Sequence, residues 1–199
     1  MTYLDFLKTK VEVAPVSGFS VSPEELSPIL KPHQRDAVTW ALNGGRRALF
    51  ESFGLGKTIQ ELEYCRLVLK HQGGKALIVL PLGVRQEFKH DATALLGMEE
   101  PQYITHMEEA AEDGTLYMTN YERVRDGDID PKGFSCCVLD EAAVLRSFGS
   151  KTYQTFLPKF KGVKYKLVAT ATPAPNRLKE LIHYAGFLEV MDTGQALTR

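Results

Sequence analysis

The stretch from Phe50 to Gln60, Phe-Glu-Ser-Phe-Gly-Leu-Gly-Lys-Thr-Ile-Gln, constrains the fold of this chain more than any other. The apolar run Ala48-Leu49-Phe50 breaks into turn residues and a helical pattern opens at Lys57-Thr58, which predicts a strand, a glycine loop and a helix in immediate succession. Glycine adopts backbone conformations closed to other residues. In the segment Gly54-Leu55-Gly56-Lys57-Thr58-Ile59, consecutive N–H groups can therefore face one anion at the positive end of the helix. Lys57 adds a mobile cation for the outer phosphates of a nucleotide, and Thr58 a hydroxyl of the kind that ligates its Mg²⁺. The usual pattern of such a loop has glycine at its first position; here that position is Glu51.

At 199 residues the chain suffices for one well-buried α/β domain and is too short for two of ordinary size with linkers. It is 44% apolar and 25% charged with a formal net charge of -1, so any nucleic-acid binding must come from a local patch. Cys65, Cys136 and Cys137 lack metal spacing and read as buried small hydrophobes in a reducing, cytoplasmic setting. No apolar stretch reaches the length of a membrane span, so no membrane partner is expected.

Taken in order, residues 1–29 read as an N-terminal appendage in which Ser22-Pro23-Glu24-Glu25 has capping-box spacing for a brief helix. Pro32 opens a helix that runs to Asn43 and stops at Gly44-Gly45. Gln34 lies on it, and its amide carries a donor and an acceptor that fit the N6 and N7 edge of adenine. After the glycine loop, Ile59, Leu62, Cys65, Val68 and Leu69 recur at helical spacing until Gly73-Gly74. The runs Ala76–Leu80, Thr115–Thr119, Cys136–Leu139 and Lys166–Thr170 predict parallel strands covered on both faces, with a helical start at Val84–Lys89 between the first two. Alternating strands and helices imply a doubly wound, mostly parallel sheet.

Asp140 and Glu141 cap one of those strands at the end where open parallel sheets hold ligands. Adjacent strand residues point to opposite sides, so one acid can reach Mg²⁺ while the other orients and deprotonates water. The last strand runs into Ala171-Thr172-Pro173, and Asn176 caps a helix whose apolar face is Leu178, Leu181, Ile182, Ala185 and Leu188. His33, His71, His90, His106 and His183 show no ligand spacing, and Trp40 is expected in the core.

Leu30-Lys31-Pro32-His33-Gln34, Gly54-Leu55-Gly56-Lys57-Thr58-Ile59-Gln60, Asp140-Glu141-Ala142 and Thr170-Ala171-Thr172-Pro173 occur in an order that resembles the first RecA-like P-loop NTPase lobe of superfamily-two helicases, closest to the Swi/Snf-like DNA translocases. The wording of Asp140 to Lys151 and of Ala169 to Asn176 is similar to phage- or prophage-encoded members. The resemblance covers residues 30–190, with 191–199 as a tail. It implies ATP and Mg²⁺ as cofactors, with Gln34 reading adenine, Lys57 and Thr58 holding phosphates and Mg²⁺, Asp140 supporting Mg²⁺ and Glu141 as catalytic base. It further implies that Thr170 and Thr172 couple nucleotide state to lobe movement. By the same resemblance, Pro81, Leu82, Gly83, Arg85, Thr119, Asn120 and Tyr121 would touch the phosphate backbone of one DNA strand.

The chain departs from the family at Ala143, where histidine is common. It also has no counterpart of the second RecA-like lobe with its arginine finger, and so resembles a fragment or a single lobe with low activity of its own. The alternative is a nucleotide-binding module without turnover that acts through protein partners. A small-molecule P-loop kinase would leave Gln34 and the Thr170–Pro173 segment without a task.

Overall fold

The computed structural model describes residues 15–142, 154, 156, 158–173 and 181–190. Its helices are α1 (Pro32–Gly44), α2 (Lys57–Gln72), α3 (Arg85–His90), α4 (Tyr121–Asp126) and α5 (Leu181–Phe187). Its strands are β1 (Arg46–Phe50), β2 (Ala76–Val79), β3 (Gln102–Tyr103), β4 (Leu116–Thr119), β5 (Cys136–Leu139) and β6 (Tyr165–Thr170). They form one sheet in the order β1-β6-β5-β2-β4-β3, and every pairing is parallel. Because all strands run the same way, their C-terminal ends share one edge. The glycine loop, Asp140-Glu141, Pro81-Leu82, Asn120 and Ala171-Thr172 all emerge there.

Alternation along the strands builds two cores. Ile78, Met118, Cys136, Val138, Leu167 and Ala169 pack with α1, α2 and α3 on one face. Leu77, Val79, Tyr117, Cys137, Leu139 and Val168 pack with Val124 of α4, Tyr184 and Phe187 of α5, and Phe156 and Phe160 on the other. The three cysteines are buried and free, with Cys65 Sγ 4.0 Å from Cys136 Sγ across the α2–β5 contact. Burial pushes the Cys136 thiol well up and the Cys137 thiol out of reach of ordinary pH, so both behave as apolar filling.

α2 is buried on nearly every side, because the sheet covers one face while α1 and the chain from Ser17 to Leu30 cover another. Phe19 N donates to Leu42 O at 3.0 Å, Leu26 and Leu30 enter the core, and Ser27 N donates to the buried Glu63 carboxylate at 2.7 Å. The capping-box segment forms a single 3₁₀ turn, Pro23–Glu25, with Ser22 N donating to Glu25 Oε1.

Three expectations about burial and elements are corrected. Trp40 is 50% exposed, because the buried stripe of α1 is Gln34, Val38, Ala41 and Leu42, and position 40 falls off it. Its ring is instead covered by the Arg47 guanidinium, 5.3 Å from the centroid. On α5 the deepest residues are His183, Tyr184 and Phe187 with Leu188, while Leu181, Ile182 and Ala185 are half-buried. The aromatic rings win the core face because Phe50 and Phe160 stand opposite, with centroids 5.1 Å from Tyr184 and Phe187 respectively. β3 has no apolar run and was not expected; its Gln102 and Tyr103 add to the edge of β4. Asn176 and Leu178 lie outside the described residues, as do Ala143, the tail 191–199 and residues 1–14.

Candidate nucleotide and nucleic-acid site

The glycine loop leaves β1 at Phe50 and re-enters regular structure at Lys57, with Gly56 in the left-handed conformation (φ 74°, ψ 49°) as the residue before the helix. A Cβ there would lie 2.4 Å from Gln34 Nε2, so both the backbone angle and the close approach demand glycine. Glu51 needs no such allowance: among the described residues only Glu141 and Glu189 combine a side chain with positive φ. Its carboxylate instead accepts from Gln60 Nε2 at 2.7 Å and braces the loop against the first turns of α2.

Gln34 is nearly buried and spans from its own helix to the loop. Its Oε1 accepts from Lys31 N and its Nε2 donates to Leu55 O, both at 2.9 Å. One N–H and one lone pair remain for a base edge. Lys57 Nζ donates to the carbonyls of Glu51 at 3.1 Å and Ser52 at 3.3 Å, and lies 5.5 Å from the Phe53 ring centroid. The ammonium is thereby held across the mouth of the loop. Thr58, half-buried at the N-terminus of α2, directs its hydroxyl toward Glu87 Oε1 at 3.5 Å.

Asp140 is pinned through its backbone, its N–H donating to Val79 O at 2.9 Å and its carbonyl accepting from the Tyr121 hydroxyl. Burial, with the Glu141 charge adding to it, raises its carboxyl to about 6, against the pull of the Glu141 N–H, of the neighbouring Glu61 carboxyl and of Lys57. Glu141 follows in the left-handed conformation, φ 47°, which turns it away from the strand direction. Its Oε1 accepts from Thr170 Oγ1 at 3.0 Å, and Thr170 Oγ1 accepts from Thr172 N at 3.1 Å. A hydrogen-bonded chain thus joins the end of β6 to the acid at the end of β5.

The donors at this edge are oxygens, as a hard divalent cation requires, and among the described residues no group of three His, Cys, Asp or Glu makes an all-protein metal cage. One hydroxyl, one carboxylate and phosphate oxygens are the set that suits Mg²⁺, which keeps several of its waters.

A family model described as the SNF2-related domain matches residues 33–196. The chain belongs to that family. Among curated relatives, a SWI/SNF-related matrix-associated actin-dependent regulator of chromatin subfamily A-like protein 1 from Xenopus laevis is 26% identical over 185 residues, covering 88% of this chain and 19% of that protein. A DNA annealing helicase and endonuclease ZRANB3 from Bos taurus is 25% identical, covering 80% of this chain and 16% of that protein. The chain therefore spans less than a quarter of the length of these relatives. Among solved structures, a Sulfolobus solfataricus SWI2/SNF2 ATPase core in complex with dsDNA superposes with a TM-score of 0.68 at 17% identity, over 88% of this chain and 38% of that one. The UvsW helicase from bacteriophage T4 does so with a TM-score of 0.65 at 16% identity, over 94% and 66%. Both share the fold.

Within this SNF2-related lobe, the residues expected to meet DNA divide into two kinds. Pro81, Leu82 and Gly83 are exposed after β2, and the half-exposed Arg85 lays its guanidinium 4.8 Å from the Tyr103 centroid. Thr119, Asn120 and Tyr121, at the end of β4 and just past it, are committed internally. Thr119 Oγ1 donates to Ile104 O at 2.9 Å, Asn120 Oδ1 accepts from Arg123 N as the cap of α4, and the Tyr121 hydroxyl binds the Asp140 carbonyl. Their side chains hold the edge in shape rather than reach outward.

Sequence reasoning passed over Glu61. It is fully buried on α2, and burial followed by the Asp140 charge pushes its carboxyl well above the carboxylate range. The available signal was its position: four residues after Lys57 and three after Thr58, it shares their helix face, in a register continued by Cys65 and Val68.

Proposed function

We propose that this chain is the nucleotide-binding lobe of an ATP-dependent DNA translocase, in which MgATP hydrolysis drives movement on DNA once a second lobe is joined to it. The observation that carries the reading is the gathering of Gln34, Lys57, Asp140, Glu141 and Thr170 at one sheet edge, with Thr170 bonded directly to Glu141. Gln34 reads the adenine edge while holding Leu55, so base recognition and loop shape depend on one amide. Lys57 exchanges its loop carbonyls for the outer phosphates. Thr58 and Asp140 hold Mg²⁺, which when bound neutralises charge that develops on the phosphates. Glu141 accepts a proton from the attacking water, and Thr170, bonded to that carboxylate, passes the change in its charge to the backbone of Thr172. Movement of the segment after β6 is then tied to the chemistry.

DNA is the proposed partner, met through its backbone by Pro81, Leu82, Gly83 and Arg85 at the exposed end of β2, with Thr119, Asn120 and Tyr121 shaping the adjacent end of β4. Contacts of that kind carry little sequence selectivity. The decisive test of the site is calorimetric titration of MgATP into the parent chain and Lys57→Ala. Losing a charge-assisted contact costs about 1.5 to 3 kcal/mol, so the variant should bind roughly ten- to a hundredfold more weakly. Equal affinities would remove the phosphate loop from the assignment.

A further inference from the structure

Resting on the phosphate-loop assignment just proposed, we infer that Glu51 and Gln60 form a positioning pair that presents Lys57 to the outer phosphates of the nucleotide. Glu51 is the first residue after β1 and Gln60 lies in the first turn of α2, so a bond between them closes a ring around residues 52–59. Gln60 Nε2 donates to Glu51 Oε2 at 2.7 Å and lies 3.3 Å from Gly56 O and 3.4 Å from Leu55 O, so its two N–H groups serve three acceptors. The side chain is completely buried, and its Oε1 has no hydrogen-bond partner among the described residues. A methionine would fill a similar volume without that cost, so what the amide supplies is its donors. Glu51, whose carboxylate is tied to Gln60, also offers its carbonyl to Lys57 Nζ at 3.1 Å, beside that of Ser52 at 3.3 Å. Fixing the side chain of residue 51 thus fixes a carbonyl that holds the ammonium. Leu55 O, farther along the loop, also accepts from Gln34 Nε2 at 2.9 Å. The loop is held at its entry and at its turn, and Lys57 exchanges carbonyls for phosphates without the loop having to reorder. Without the bond to Gln60, a carboxylate in an anion-binding loop would only repel the ligand.

The test is the MgATP affinity, by calorimetry, of Glu51→Ala, Glu51→Gln and Gln60→Met, with the Ala and Met changes also combined with Lys57→Ala and thermal unfolding as the check on folding. Glu51→Gln keeps an acceptor for Gln60 without the charge. Charge repulsion alone would make Glu51→Ala bind MgATP more tightly than the parent. The inference expects the reverse sign, with Glu51→Ala and Gln60→Met weaker by about tenfold and Glu51→Gln within about threefold of the parent. Once Lys57 is alanine, neither change should weaken binding further, because residues that act through one group are not additive. A Glu51→Ala variant binding as tightly as the parent, or more tightly, would overturn the inference. So would Glu51→Gln as weak as Glu51→Ala, or losses that repeat in full in the Lys57→Ala background, which a general distortion of the loop produces. Should Gln60→Met not fold, the Glu51 variants, on the partly exposed side of the bond, decide alone. A Lys57→Ala protein with the parent's affinity would instead defeat the phosphate-loop assignment on which the inference stands.

Discussion

Glu141 has a side chain in a backbone conformation that glycine adopts freely, and such residues cost of order 1–3 kcal/mol unless their surroundings hold them. Thr170 supplies part of that hold, and the result is a carboxylate aimed across the end of β6 rather than along β5. Asp140, one residue earlier and just past the end of β5, is held by its own backbone bonds to Val79 and Tyr121. The two acids therefore have separable tasks. Glu141→Gln should bind nucleotide almost as the parent does yet abolish hydrolysis in a two-lobed version, because an amide cannot take a proton from water. Asp140→Asn should instead weaken binding only when Mg²⁺ is present. Single-turnover hydrolysis together with titrations in Mg²⁺ and in chelator separates them, and a Gln variant turning over at the parent rate would place the base elsewhere.

At the scale of elements, two clasps tie the chain's flanks down, one to α2 and one to the sheet. Glu25 on the 3₁₀ turn accepts from Lys70 Nζ at 2.7 Å and pairs with His71 Nε2 at 2.8 Å, near the C-terminal end of α2. The Lys70 bond first, then the Ser22 N–H and His71, lower its carboxyl to about 2. A depressed acid contributes stability above its unfolded value of 4.5 and loses it as pH falls through the folded one. Denaturation midpoints measured from pH 5 down to about pH 2 should fall more steeply for the parent than for Glu25→Gln. The other clasp is Lys166, almost inaccessible on β6, donating to Phe187 O at 3.0 Å and Glu189 Oε1 at 3.1 Å while Arg46 binds the other Glu189 oxygen. Glu189→Ala leaves that ammonium buried without its carboxylate and should cost about 3 kcal/mol in urea unfolding, the low end for a broken buried pair because Glu189 is partly exposed. Lys166→Met should cost far less. Neither clasp was legible in the sequence, since each joins residues far apart in the chain. β2, β4, β5 and β6 were legible because sheet strands covered on both faces must be apolar throughout, and so was the glycine loop, whose chemistry is local. The face of α5 was misjudged because size, which periodicity does not weigh, decided which side turned inward. Glu61 escaped notice because its meaning depends on where β5 ends.

Over the whole molecule, what matters is how much of the proposed translocase activity one lobe could carry. On the function proposed above, the described edge would supply base recognition, phosphate and metal ligands, a water-activating acid and its link to β6, while the relatives carry the matching region within proteins several times longer. The family resemblance implies an arginine finger from a second lobe, and ATP hydrolysis without one is slower by about 10³ to 10⁵, roughly 4 to 7 kcal/mol of transition-state stabilisation. The 199-residue chain alone should therefore bind MgATP or MgADP modestly and hydrolyse ATP very slowly, with little or no stimulation by DNA. Its net charge of -1 gives no long-range attraction to a polyanion, and Arg85 is the one cation among the exposed residues proposed to meet the backbone. DNA affinity should accordingly be no tighter than about 10⁻⁴ to 10⁻⁶ M and should weaken further with salt. Steady-state ATPase titrations with single- and double-stranded DNA measure both quantities together. Turnover on the order of several per second that rises with DNA, within reach of ordinary enzymes, would mean that a second copy of this chain completes the site, and the single-lobe account would give way to a self-assembling one.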